Sequence, residues 1–205
     1  MKLTWYGHSC FRLDSIDGSV VFDPYSPGSV PGLILPELCA DMVICSHGHS
    51  DHNYAAGVKL SGETPHFTIR QFDTWHDGAH GAKRGKNVMT LVETEGLRVL
   101  HMGDLGHMLD ADQLAALGHV DVLLIPVGGF YTIDAAQAVE LAKAIAPGIC
   151  VPMHYRGDGF GYDVIGSAED FLALIGGDIL RLDNNVIDPA AFRTPVALVP
   201  RCPRG

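Results

Sequence analysis

The stretch Ser46-His47-Gly48-His49-Ser50-Asp51-His52 puts three imidazoles and a carboxylate within six residues. It follows residues 42–45, a short apolar run that reads as a buried strand, so the cluster leaves a rigid edge as a loop. In extended chain, residues two apart face the same side, and His47 and His49 can grip one ion together. Asp51 and His52 lie just beyond, where the chain can turn and offer donors to a second ion. Imidazole with carboxylate suits zinc, iron, manganese or nickel, whereas calcium prefers all-oxygen sites. A solvated loop has no need of histidine at this density.

Six residues cannot close a two-metal site, so the other donors must come from elsewhere. The candidates share one pattern, a His or Asp just past a predicted strand and beside glycine. Asp104 fits in His101-Met102-Gly103-Asp104-Leu105-Gly106-His107, after a strand at 97–100. His154 fits in Val151-Pro152-Met153-His154-Tyr155, after a strand at 149–152. His76 ends an extended stretch in Asp73-Thr74-Trp75-His76-Asp77-Gly78. The residue pattern alone does not separate His76 from His66, His80 or His101.

Composition bounds the rest. The 205 residues carry 14 Lys+Arg against 24 Asp+Glu, a formal net charge of −10. That length predicts one domain, 1–205, with the proline-bearing stretch 194–205 as an irregular tail. The acidic balance opposes nucleic-acid or anionic-membrane partners, which need a basic face to displace counterions. No apolar run approaches a membrane span, and the first residues contain no signal core. Five cysteines without a Cys-x-x-Cys pair predict a reducing, cytoplasmic setting. Oligomeric state is not legible.

Strands are predicted at residues 2–6, 10–13, 19–22, 42–45, 66–69, 88–93 and 97–100, with Asp17-Gly18 as a hairpin signal. Four prolines make 24–36 a loop. Beyond residue 110 helix and strand alternate: helices at 110–117, 134–145 and 168–175, strands at 120–127, 149–152 and 179–182. Asp134 with Gln137 three residues on reads as a capping pair. Strands first, then mixed strands and helices, predict two sheets with helices outside them.

The order His-x-His-x-Asp-His, then His76, Gly103-Asp104 and His154, resembles the metallo-β-lactamase superfamily over about residues 3–185. Further runs resemble small bacterial hydrolases related to L-ascorbate-6-phosphate lactonase. They are Gly7-His8-Ser9-Cys10-Phe11, Asp23-Pro24, Gly81-Ala82-Lys83-Arg84-Gly85-Lys86-Asn87 after His76-Asp77, and Pro152-Met153-His154-Tyr155. The resemblance implies a four-layer αββα sandwich with metals where the sheets meet. It implies His47, His49 and His76 on a first metal, Asp51, His52 and His154 on a second, and Asp104 bridging them. All seven positions match.

Other residues are weighed beside these. His8 is read as a partner behind a metal ligand, and Asp23 as a carboxylate orienting a metal-bound imidazole. His107 is expected to touch substrate. Lys83, Arg84 and Lys86, with Arg156, read as an anion clamp in an otherwise acidic chain. Gly128-Gly129 lacks the spacing of a nucleotide loop, and His66, His80, His101 and His119 are read as non-ligands.

Such a cage activates water and polarises a substrate oxygen. The expected reaction is hydrolysis of an ester, lactone or phosphodiester in a small anionic molecule. Asp51, Asp104 and His107 are the catalytic candidates, and zinc is the leading metal, with manganese, iron or nickel also fitting. Two other classes compete: an iron-dependent oxidoreductase on the same fold, disfavoured by His49 where such relatives carry Glu, and a metal-stabilised non-catalytic binding module.

Overall fold

The computed structural model describes residues 1–192 and 195–203. The chain opens with β1 (Lys2–Trp5), β2 (Phe11–Ser15) and β3 (Gly18–Phe22), paired antiparallel. A proline-rich segment leads to β4 (Leu38–Ala40), β5 (Met42–Ile44) and β6 (Val58–Leu60). An antiparallel meander follows, of β7 (Thr68–Trp75), β8 (Lys86–Thr94) and β9 (Leu97–His101). Helix and strand then alternate through α1 (Ala111–Leu117), β10 (Val122–Pro126), α2 (Ala135–Ile145), β11 (Ile149–Met153) and α3 (Ala168–Ile175). Three strands close the chain: β12 (Asp178–Arg181), β13 (Val186–Ile187) and β14 (Val196–Val199).

The strands build a five-stranded sheet, β13-β1-β2-β3-β5, a seven-stranded sheet, β12-β14-β11-β10-β9-β8-β7, and a small ribbon of β4 with β6. The two large sheets share one apolar core. Leu3, Trp5, Phe11, Leu13, Val20 and Phe22 from the first meet Leu91, Leu100, Leu124 and Val151 from the second. Alternation along β3 explains the first contribution: Val20 and Phe22 face this core, and Val21 faces the opposite way. In the second sheet β10 and β11 are buried at every residue, as parallel strands covered on both faces must be. Helices α2 and α3 pack on that sheet's outer side. Asp110 and Asp134 cap α1 and α2 reciprocally with Gln113 and Gln137.

This is the expected α/β sandwich, with two differences of detail. Over the five-stranded sheet, the outer layer holds no α-helix among the described residues. Tyr25, Val30, Leu33, Leu38 and Val58, from the proline-rich segment and the ribbon, cover Cys10 and Val21 instead. The second difference corrects the expected irregular tail at 194–205. Val196–Val199 is a buried strand, β14, inserted between β11 and β12. Its four apolar residues fill an interior lane of the sheet, which outweighs the prolines on either side. Thr194, Arg204 and Gly205 lie outside the described residues.

Strand direction positions the site. In the first sheet β1, β3 and β5 run the same way, with β2 antiparallel between β1 and β3. In the second, β7, β9, β10 and β11 run together, with β8 reversed. His8, Asp23, His47, His76, Asp104 and His154 all lie just past the C-terminal ends of such same-direction strands. Loops at the carboxyl edge of parallel strands are where open α/β sheets carry their ligands.

Candidate metal centre

Three residues of this edge, His8, Asp23 and His154, are held at positive φ, between 43° and 52°. Non-glycine residues seldom occupy this region, and when they do the strain clusters at functional sites. Gly103, at φ 56°, permits a close approach that a side chain would block: a Cβ there would lie 2.5 Å from that of Ser46. That approach lets the Asp104 amide donate to Asn87 Oδ1 at 2.8 Å.

The motif loop turns at His49, whose carbonyl accepts from the amides of His52 and Asn53, each at 3.0 Å. This separates His47 and His49 from Asp51 and His52. Donor atoms of His47, His49 and His76 then lie within 4.8 Å of one another, as do those of His8, Asp51, His52 and His154. His47, His52 and Asp104 form a third such group between the two. Asp104 Oδ2 sits 3.2 Å from His52 Nε2, 3.2 Å from His76 Nε2 and 3.1 Å from His154 Nε2. All seven residues of the expected ligand set are therefore brought together around one carboxylate.

The scaffold fixes the ring orientations. His52 Nδ1–H donates to Asp23 Oδ2 at 2.8 Å. Asp23 also accepts from the Ser46 amide and from Ser46 Oγ, both at 2.6 Å. Ser46 Oγ in turn lies 2.9 Å from His47 Nδ1. Because its own proton goes to Asp23, it accepts there. One buried carboxylate thus sets the tautomer of His52 directly and of His47 through a serine, and leaves both Nε2 atoms facing Asp104. His76 Nδ1–H donates to the Tyr131 carbonyl at 3.1 Å, with the same result.

Electrostatics follow from this packing. Burial raises the Asp104 carboxyl, but His154 and His52 more than offset it and hold it well below the usual carboxylate range. Burial lowers His52, but Asp104 and Asp23 outweigh it and hold it well above the ordinary imidazole value. Burial and then His52 push His47 down to about 3, and burial and then His154 push His8 down to about 4. His47 and His8 are thus held neutral beside an ionised Asp104, as metal ligation requires, whereas His52 would give up a proton to a bound cation.

The donor set also fits a metal on stricter grounds. Among the described residues, nine buried side-chain N or O atoms have no hydrogen-bond partner. All but Ser9 Oγ and Arg98 Nε belong to His8, His47, His52, Asp104 and His154. Leaving such atoms unsatisfied costs roughly 1–3 kcal/mol each. Divalent cations would satisfy one nitrogen of each ring and the carboxylate oxygen.

A cavity of about 260 Å³ opens over the cluster, lined by His49, Asp51, His76, Arg84, Asp104, Tyr131 and Tyr162. A larger recess of about 410 Å³, by α2 and β14, contains no histidine and no paired carboxylates. Known relatives agree with the chemistry of the smaller one. The family profile described as "Beta-lactamase superfamily domain" matches residues 2–154. A UPF0173 metal-dependent hydrolase of Thermoplasma acidophilum is 30% identical, over 86% of this chain and 91% of its own. A crystal structure from Thermotoga maritima, described as a Zn-dependent hydrolase of the metallo-β-lactamase superfamily, superposes with a TM-score of 0.76. It is 32% identical and covers 97% of this chain and 98% of that one. The chain is a metal-dependent hydrolase of the metallo-β-lactamase superfamily. A second UPF0173 hydrolase, from Carboxydothermus hydrogenoformans, is 29% identical over 76% of this chain and 85% of its own.

The hydrolase departs from sequence expectation at several residues around the cluster. His8 lies inside a donor group rather than behind one, with Nε2 at 3.4 Å from Asp51 Oδ2. His107 does not reach the cavity. The Trp75 amide donates to its Nε2 at 3.2 Å, and its Nδ1–H donates to the Met108 carbonyl at 2.8 Å. Both ring nitrogens are spent on the scaffold, which corrects its expected contact with substrate. Of the expected clamp, Arg84 lines the cavity, while Lys83, Lys86 and Arg156 are exposed and do not. The Arg84 guanidinium sits 5.3 Å from the Tyr131 ring centre and 5.9 Å from that of Phe130.

Tyr131 and Tyr162 were not singled out in the sequence. They arrive on loops without a metal motif, and their only signal is an aromatic residue shortly after Gly128-Gly129 and one directly after the glycine-rich run 157–161. Tyr162 Oη lies 2.7 Å from the Ser29 carbonyl and 3.1 Å from Asp51 Oδ2. Burial and then Asp51 raise its pKa, so it stays a neutral donor. No helix among the described residues is long and apolar enough to cross a membrane.

Proposed function

We propose that this hydrolase binds two divalent ions and cleaves an ester, lactone or phosphodiester bond in a small anionic molecule. The observation that carries the reading is Asp104 Oδ2, within 3.2 Å of imidazoles from both donor groups. His47, His49 and His76 would hold one ion, Asp51, His52 and His154 the other, and Asp104 would serve both. Ions bound there would supply Lewis acidity, bringing the pKa of water towards neutrality and polarising the substrate oxygen.

The chain's own residues supply the rest. Asp23 and Ser46 keep the ligand rings in one tautomer. Tyr162 offers a neutral hydroxyl beside Asp51. Arg84 is the cation over the cavity, stiffened by Phe130 and Tyr131, and suits a carboxylate or phosphate on the substrate. Zinc is the metal named for the Thermotoga maritima relative and the one we propose here.

The test joins metal counting to a matched panel of neutral and anionic esters, lactones and phosphodiesters. Reconstituted protein is expected to hold near two equivalents and to prefer anionic members. A charge-assisted contact is worth about 1.5–3 kcal/mol, so Arg84→Ala should raise KM for anionic members roughly ten- to a hundredfold and leave metal content unchanged. Less than one equivalent in wild type would sink the two-ion reading. Equal turnover of neutral and anionic members, unmoved by Arg84→Ala, would sink the anionic-substrate reading.

A further inference from the structure

We propose that His8 is itself a metal ligand, the fifth protein donor to the ion held by Asp51, His52, His154 and the shared Asp104; this rests on the two-ion reading above. His8 is 1% exposed, and neither ring nitrogen has a hydrogen-bond partner. Two other histidines next to the site show what a scaffold role looks like. His101, equally buried, has Nε2 at 2.9 Å from the Ser9 carbonyl and takes the Gly103 amide on Nδ1 at 3.1 Å. His107 likewise has both nitrogens engaged. Among the described residues, only His8 and His154 have both ring nitrogens buried without a hydrogen bond. Their rings lie 4.1 Å apart between centroids, and His8 is 5.0 Å from His52.

The backbone holds the His8 ring in place. Its carbonyl accepts from Trp5 Nε1 at 3.0 Å and from the His154 amide at 3.3 Å. The residue is kept at φ 52°, a backbone region non-glycine residues seldom occupy. A hydrogen bond to Asp51 is the simpler role, but at 3.4 Å the pair lacks hydrogen-bond geometry. Unpartnered imidazole nitrogens of His8, His52 and His154, converging with the Asp51 carboxylate, form a cation cage. With His8 included, one ion has a donor more than the other. Counting Asp104 for both, the ion that His47, His49 and His76 would hold has four protein donors and its neighbour five, so the first would be the readier to take a water or substrate oxygen.

The experiment is NMR of 15N-histidine-labelled protein loaded with 113Cd, counting imidazoles whose nitrogens couple to cadmium. The variant is His8→Asn, since asparagine tolerates positive φ and is too short to reach the ion. Six coupled rings in wild type, the five histidines of the proposed set plus His8, and five in the variant support the assignment. Five coupled rings in wild type with two equivalents of cadmium bound overturn it and leave the two-ion reading standing. Fewer than two equivalents bound overturn both. The wild-type count decides the matter even if His8→Asn does not fold.

Discussion

At the scale of single residues, satisfied and unsatisfied nitrogens separate ligands from scaffold where sequence position does not. His101, Asp104 and His107 stand within seven residues beside glycines, and the primary structure ranks Asp104 and His107 alike. The fold uses His107 to tie the end of β7 to the loop after β9. Asp104 has Oδ1 buried without a partner and Oδ2 among three imidazoles. Asp104→Asn keeps the shape and removes the charge, so both ions should bind more weakly and turnover should fall at least about 100-fold, beyond what loss of an outer partner costs. Near-native turnover with full metal content would exclude its bridging role. Asp23→Asn tests the relay behind the ligands. One substitution should weaken both ions by roughly ten- to a hundredfold, because Asp23 reaches His52 directly and His47 through Ser46. A competing-chelator titration that finds only one site weakened would show that the serine passes nothing on.

At the scale of elements, the loop between β7 and β8 is organised by a residue next to a ligand. The Asp77 carboxylate accepts from the amides of Ala79, Gly81, Lys83 and Arg84 at 2.7–3.1 Å. Desolvation raises its pKa, but these four donors outweigh it and the net shift is downward. A carboxyl lowered on folding contributes stability above its unfolded value, and loses it as pH falls through the lower folded value. The loop should therefore be tight at neutral pH and loosen below about pH 4. Asp77→Asn should loosen it at neutral pH: trypsin should cut after Lys83 or Arg84 sooner, and KM for anionic substrates should move towards that of Arg84→Ala. Unchanged trypsin sensitivity would mean that the hairpin holds itself without Asp77. The elements most legible in the sequence were those with strong periodicity or caps, such as the helix capped by Asp134 and Gln137. β14 was missed because prolines at 195 and 200 bracket it, although Val196-Ala197-Leu198-Val199 is a buried-strand run. β13, two residues long, offers no periodicity to read. Tyr131 and Tyr162 meet through chain reversal after different elements, which only the assembled sheets bring about.

At the scale of the whole molecule, the proposed ligands divide between the two sheets. His8, His47, His49, Asp51 and His52 leave the five-stranded sheet, and His76, Asp104 and His154 leave the seven-stranded one. Ions bound only by the native state stabilise it by about 2.7 kcal/mol each at a hundred times Kd. For two ions and a chain of this length, chelation should lower Tm by roughly 10–20 °C. Scanning calorimetry with and without chelator checks this, and an unchanged Tm would mean that the core alone sets stability. Hydrogen exchange should rise at 46–52 and 101–107, and stay low in β10. On the two-ion reading each ion would be a rivet through the seam of a two-leaved book, and Met102 and Leu105, both wholly buried, flank Asp104 in sequence. When the rivets go, these side chains are among the first to meet water. A cell short of metal would then lose this protein to proteases and aggregation before it accumulated as idle enzyme, and its abundance would serve as a gauge of the metal supply.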